Sequence, residues 1–163
     1  MKSKLFNNLL LFSLFGIALG FFGILYEGVV YGPKLLDVSM ERMLFWKEFT
    51  SIISPLIYYV PWVYLATIIL VVLYFKTQKE KTELKIRLKL ASIFQILSLV
   101  LTIYILTQIN FKRSFGNLGL YADAVQSKVI LFNILSTIRV VLAAIGLSYV
   151  FKGYIQTQKE QAI

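Results

Sequence analysis

Four long apolar runs constrain this chain more than any other feature. Each has about 20 residues or more, enough at ~1.5 Å of helical rise per residue to cross the ~30 Å hydrocarbon core of a bilayer. No polar face runs along any of them, whereas a soluble helix usually presents one to water. The sequence therefore predicts an all-α integral membrane protein, a four-helix bundle in one domain (1–163), and a soluble apolar bundle is the alternative. The predicted spans are 5–30, 55–75, 88–109 and 129–151.

Composition supports the same class. Hydrophobic residues make up 58% of the 163 residues and charged residues only 15%, a more apolar balance than soluble domains usually have. Lys2 and Lys4 ahead of the first run resemble the start of a signal peptide, and 18–20 resembles a cleavage site. However, the hydrophobic part of a signal peptide is ~7–15 residues long, and this run continues to Val30. We predict an uncleaved first helix, with cleavage as the alternative.

The basic residues predict the topology. They concentrate at the two termini and in the connection 76–89, whereas the other two connections carry three basic residues each. Because basic connections stay cytoplasmic, both termini and the middle connection are predicted on the cytoplasmic side of the plasma (inner) membrane. The net charge of +9 is then mainly an orientation signal. The basic residues flank spans and lack interleaved aromatics, so no nucleic-acid partner is predicted.

The residue types that are absent exclude many chemistries. The chain has no cysteine and no histidine, which excludes disulfides, thiol redox centres and a Ser-His-Asp triad. Haem held by His or Cys and an ordinary zinc site are excluded for the same reason. Glu27 is the only acid within an apolar run, and one carboxylate does not make a metal site. We predict no metal and no cofactor.

Arg139 lies in the middle of the fourth apolar run. An arginine at that depth costs ~2.5–3.5 kcal/mol on insertion scales, so it needs a partner or a function. Side chains on a helix lean toward its N-terminus, which in the predicted topology brings Glu27 and Arg139 toward each other across a backbone depth difference of about 15 Å. We predict a polar cluster in the outer half of the bundle, with Asn133 beside the pair. The aromatic residues expected near this cluster are Tyr58, Tyr59 and Trp62.

Two rows of residues, each on one face of a predicted helix, predict how the helices pack. Gly16, Gly20 and Gly23 lie on one face of the first span, where small residues let another helix approach closely. The third span carries polar side chains at a spacing of three to four residues, which predicts hydrogen bonds between helices. These residues are Ser92, Gln95, Ser98 and Thr102.

The segment 34–49 predicts a short amphipathic helix in the outer membrane interface. Apolar residues fall near one face and acidic residues on another, as in helices that lie in the plane of the interface. An ordinary connector and a lid over an outward-facing pocket are both compatible with this pattern.

Several motifs resemble those of the small four-span membrane proteins related to fungal anthrone oxygenase. The first span is glycine-rich and ends near 31–36 (YGPKLL), and 46–49 (WKEF) precedes a proline-containing second span. In the last span, Asn133 is followed six residues later by Arg139, and Phe132 stands where the family has an aromatic residue. The resemblance implies a four-helix bundle and, for some members, cofactor-independent oxygenation of an aromatic polyketide.

Three functional interpretations follow from the sequence. In the first, a pocket in the membrane binds or transforms a small lipophilic molecule, with Arg139 holding an oxygen or anionic group and Asn133 orienting it. In the second, the chain is a structural or accessory subunit that binds another membrane protein, and Glu27 and Arg139 only set helix packing. A small transporter is the third and has the least support, because inverted repeats are not visible. Whether the chain is an enzyme stays open.

Overall fold

The computed structural model describes residues 3–31, 56–78, 80–110 and 122–161. Within these residues the chain forms four long helices and no strand. Short π-helical turns, Glu27–Tyr31 and Ile105–Asn110, continue the first and third helices. Each of the four helical regions contains a stretch long and apolar enough to span a membrane, so the predicted all-α membrane bundle is confirmed. The helices are α1 Ser3–Tyr26, α2 Leu56–Lys76, α3 Thr82–Tyr104 and α4 Ala122–Gln161.

Two helices are longer than the apolar runs that predicted them. α3 begins at Thr82, ahead of the run that starts at residue 88, and α4 has 40 residues. The extensions are amphipathic: Leu84, in the added part of α3, is buried, and Gly153, in the added part of α4, lies directly against it. An unbroken apolar run marks only the part of a helix that has no polar face, so these amphipathic ends were not included in the predicted spans. The predicted amphipathic connector 34–49 lies outside the described residues.

The helices pack as antiparallel neighbours. Contacts are most extensive between α3 and α4 and between α1 and α2, and α4 also packs on α1. The interface between α2 and α3 is the smallest of the four. We call the end at which α1 and α3 begin the basic end, because Lys76, Lys81, Lys85, Lys89 and the lysines of the last turns of α4 lie there.

The core has two apolar layers. The larger layer lies toward the basic end and includes Leu10, Leu73, Leu84, Leu88 and Val150. The smaller one, nearer the opposite end, is formed by Ile24, Tyr59, Val63 and Ala143. Both layers receive side chains from α1, α2 and α4, which sets the register in which polar residues of different helices meet.

The outer surface of the bundle is apolar. Large hydrophobic side chains are exposed on all four helices, for example Phe15, Phe75, Val100 and Val141. Exposed apolar surface on this scale is unfavourable in water but matches the hydrocarbon of a bilayer. The chain is therefore a multi-pass membrane protein whose outward faces contact lipid.

Candidate functional site: a buried ion pair that joins four helices

Glu27 and Arg139 form a direct ion pair inside the bundle. Arg139 Nη2 lies 2.7 Å from Glu27 Oε2. Arg139 is 1% exposed and Glu27 is 7% exposed. Hydrogen bonds between ionised groups at this distance are roughly twice as strong as neutral ones, and the low dielectric around a buried pair strengthens them further. The partnership predicted from the cost of a lone arginine is confirmed.

Two more helices contribute to the same network. The Tyr59 hydroxyl on α2 donates a hydrogen bond to Glu27 Oε1 at 2.7 Å. Arg139 Nη1 lies 3.5 Å from Thr102 Oγ1 on α3, a long and therefore weak contact. The Thr102 hydroxyl donates to Ser98 O at 2.9 Å, which leaves its oxygen free to accept from the arginine. One side chain from each of the four helices thus takes part in the network.

The predicted depth difference between Glu27 and Arg139 is wrong. Ile24 and Ala143, one helical turn nearer the basic end, share a core layer, so the two charged residues lie at the same level. The predicted difference assumed that the middles of the first and last apolar runs lie at the same depth in the membrane. The helices are instead staggered, and α4 continues past the apolar run toward the basic end. The stagger is favourable because it brings the two charged side chains together, and an unpaired charge in the membrane interior costs several kcal/mol.

The glycine stripe of α1 faces α2. A Cβ added to Gly16 would lie 2.6 Å from Ala66 Cβ, and a side chain at Gly20 would overlap Val63. Gly23 faces the ring of Tyr59 in the same way. The close approach of the two helices that these glycines allow brings the Tyr59 hydroxyl within hydrogen-bond distance of Glu27.

The polar stripe of α3 faces α4. Gln95 Nε2 donates to Ala143 O at 3.2 Å, and Ser98 Oγ donates to Arg139 O at 3.4 Å. Gly146 provides the space for the Gln95 amide, because a side chain at this position would overlap it. Ser92, also buried, donates instead to Leu88 O within α3. The bonds from Gln95 and Ser98 hold the backbone of α4 at the arginine and one helical turn after it.

Three residues expected near the pair lie elsewhere. Asn133 is half-buried, and its amide donates to Val129 O in its own helix at 2.9 Å. Six residues separate it from Arg139, a rotation of about 240° around the helix, so the two side chains leave different faces. Tyr58 is 65% exposed and Trp62 is 49% exposed. Trp62 packs edge-on against Phe12, with ring centroids 6.5 Å apart. Of the three aromatic residues, only Tyr59 reaches the pair.

The network leaves polar atoms without partners. Arg139 Nε and Ser136 Oγ are buried and have no hydrogen-bond partner among the described residues. Ser136 is one helical turn before Arg139 on the same face, a spacing visible in the sequence although we did not assign Ser136 to the site. Thr102 was likewise assigned to packing alone. Within the described part of the chain, no cluster of three His, Cys, Asp or Glu residues could hold a metal ion.

Comparison of the chain with protein-family models, curated proteins and solved structures finds no match.

Proposed function

We propose that this multi-pass membrane protein binds a small lipophilic molecule through an oxygen atom held by Arg139. The observation that carries the proposal is the incomplete hydrogen bonding of the arginine. A guanidinium has five N–H donors, and here one makes a short bond, one a long contact, and Nε makes none among the described residues. A buried donor without an acceptor costs about 1–3 kcal/mol, so an acceptor from a bound molecule would stabilise the site.

The charges around the site favour a neutral ligand group. The arginine is already balanced by Glu27 at 2.7 Å, so an anion would compete with this carboxylate and be repelled by it. A carbonyl, hydroxyl or ether oxygen accepts a hydrogen bond without adding charge. The Ser136 hydroxyl, which lies on the same helix face and has no partner among the described residues, would provide a second contact to the same oxygen. The rest of the ligand would be apolar, as the surrounding layer of Ile24, Val63 and Ala143 is.

The topology and the family resemblance extend this proposal. The basic residues at one end of the bundle support an orientation with both termini in the cytoplasm and the Arg139 site in the outer half of the plasma membrane. The resemblance to anthrone-oxygenase-like proteins suggests that the ligand is aromatic. We assign binding to the site and no reaction.

The test uses two serines that share one property and differ in position. Ser136 and Ser13 both have a buried hydroxyl without a partner among the described residues, but Ser13 precedes Glu27 by 14 residues, about 21 Å along the helix. Ser136→Ala should lower the amount of small molecule that mass spectrometry finds in gently purified protein, and Ser13→Ala should not. Arg139→Lys keeps the charge but removes Nε–H, and should lower retention further. An empty native protein, or equal retention by all variants, would contradict the proposal.

A structural or accessory role is the second candidate, and the network itself favours it. Glu27, Tyr59, Thr102 and Arg139 come from four different helices, which suits a device that sets helix register. In this case the exposed apolar faces would serve to bind another membrane protein. Co-purification of one defined membrane protein, together with a ligand-free interior, would support this role over ligand binding.

A further inference from the structure

A groove separates α2 from α3 at the smallest of the interhelical interfaces. It has a volume of about 310 Å³ and is open to the side, where lipid lies. Its surface is apolar and is formed by residues such as Thr67, Val71, Ile96 and Leu99. The Thr67 hydroxyl does not make it polar, because it donates to Val63 O in its own helix.

The groove leads toward lysines at the basic end. On α3, Lys85, Lys89 and Ile96 are spaced by four and seven residues and therefore lie on one face. On α2, Thr67, Val71 and Tyr74 are spaced by four and three residues and also lie on one face. The Lys85 ammonium lies 5.8 Å from the centroid of the Tyr74 ring. This contact shows that the two stripes converge, so the faces that form the apolar groove continue to the lysines.

Among the described residues, Lys85 and Lys89 have no acidic partner. Nearby basic residues have acidic partners: Lys81 pairs with Glu160, and Arg87 pairs with Glu83. Neither Lys85 nor Lys89 has an ion pair with any residue in the described part of the chain. Their side chains lean toward the N-terminus of α3, which is the basic end, and long basic side chains place their charge at the membrane interface. Positive charge therefore stands at the end of an apolar groove.

We propose that this groove is a binding site for one anionic phospholipid. An acyl chain lies between α2 and α3 against Val71 and Ile96, and the phosphate is bound by Lys85 and Lys89. A zwitterionic lipid would fill the groove equally well but would gain less from the two lysines. The proposal does not rest on the ligand proposed for Arg139, since it uses other residues and the lysines lie at the other end of the bundle.

The experiment measures lipid retention by the purified full-length chain. The protein is equilibrated in mixed micelles that contain equal amounts of phosphatidylglycerol and phosphatidylcholine, and retained lipid is identified by native mass spectrometry. We expect phosphatidylglycerol to be retained preferentially. Lys85→Ala and Lys89→Ala should each lower this preference about fivefold, because a basic residue near anionic lipid contributes ~1 kcal/mol. Lys159→Ala, at the same end but on α4, is the control and should leave it unchanged.

A second pair of variants tests the groove. Ile96→Trp fills it, and Ile138→Trp places the same bulk on the lipid-facing surface of α4; the two isoleucines are 44% and 45% exposed. Retention of phosphatidylglycerol should fall for Ile96→Trp and stay unchanged for Ile138→Trp. The native protein should also unfold at higher temperature with phosphatidylglycerol than with phosphatidylcholine, because a ligand stabilises the state that it binds. Equal retention of the two lipids by native protein, or an equal loss with Lys159→Ala, would overturn the proposal.

Discussion

Removing Arg139 alone should destabilise the bundle far more than removing Arg139 and the charge of Glu27 together. The pair is almost fully buried, and its atoms are 2.7 Å apart. Arg139→Met leaves a carboxylate in the interior with Tyr59 as its remaining hydrogen-bond partner among the described residues. Breaking a buried pair from one side costs about 3–5 kcal/mol, whereas replacing both charges is often close to neutral. We therefore expect a loss of about 3–5 kcal/mol for Arg139→Met and under about 2 kcal/mol for the double variant with Glu27→Gln.

The assay is reversible unfolding in mixed micelles, which gives the free energy of unfolding for the native protein, both single variants and the double variant. With about 3–5 kcal/mol lost in each single variant and under about 2 kcal/mol in the double variant, this double-mutant cycle should give a coupling energy of at least about 4 kcal/mol. The same cycle on Arg87 and Glu83 is the matched control: this pair is four residues apart on α3, and the Glu83 side chain is 68% exposed. Exposed helix pairs contribute about 0.3–0.5 kcal/mol. If the two cycles gave the same coupling, or the double variant lost the sum of the two single losses, the reasoning about burial would be refuted.

Two further substitutions test the contacts around the pair. Tyr59→Phe should lower the free energy of unfolding by about 1.5–3 kcal/mol, because it removes a hydrogen bond to a charged group. Tyr58→Phe, on the exposed face, is the control and should change the free energy of unfolding little. Similar losses for the two variants would contradict the assignment of Tyr59 to the network. Gly16→Ala should cost about 1–3 kcal/mol by overpacking, since its Cβ would lie 2.6 Å from a side chain of α2. Gly28→Ala, with its nearest neighbour at 3.9 Å, should be tolerated, and an equal effect at both glycines would argue against close packing of α1 on α2.

The sequence alone was sufficient for the class of fold and for one contact of the site. Apolar runs of membrane length allow few structures other than helices, because backbone groups in hydrocarbon must be hydrogen-bonded internally. Arg139 required a partner on energetic grounds, and Glu27 was the only acid within an apolar run. The pairing therefore followed from the energetic cost of an unpaired arginine and from the absence of any other acid in an apolar run, without knowledge of the packing.

The remainder of the site could not be derived from one helix at a time. Tyr58 and Tyr59 are adjacent and chemically identical, and only the rotation of α2 against α1 turns Tyr59 toward Glu27 and leaves Tyr58 exposed. Asn133 satisfies its amide within α4, a local bond that competes with any contact between helices.

The sequence by itself determined that the chain crosses the membrane as a helical bundle and that a glutamate and an arginine must meet inside it. The reason is that length, hydropathy and the cost of charge in lipid are properties of individual segments. The tertiary structure alone decided the depth at which they meet, the hydrogen bond from Tyr59 to Glu27, and the position of Arg139 Nε, which has no partner among the described residues. Stagger and rotation depend on how four helix surfaces fit together, through glycine contacts such as Gly16 on Ala66 and the shared layer of Ile24 and Ala143.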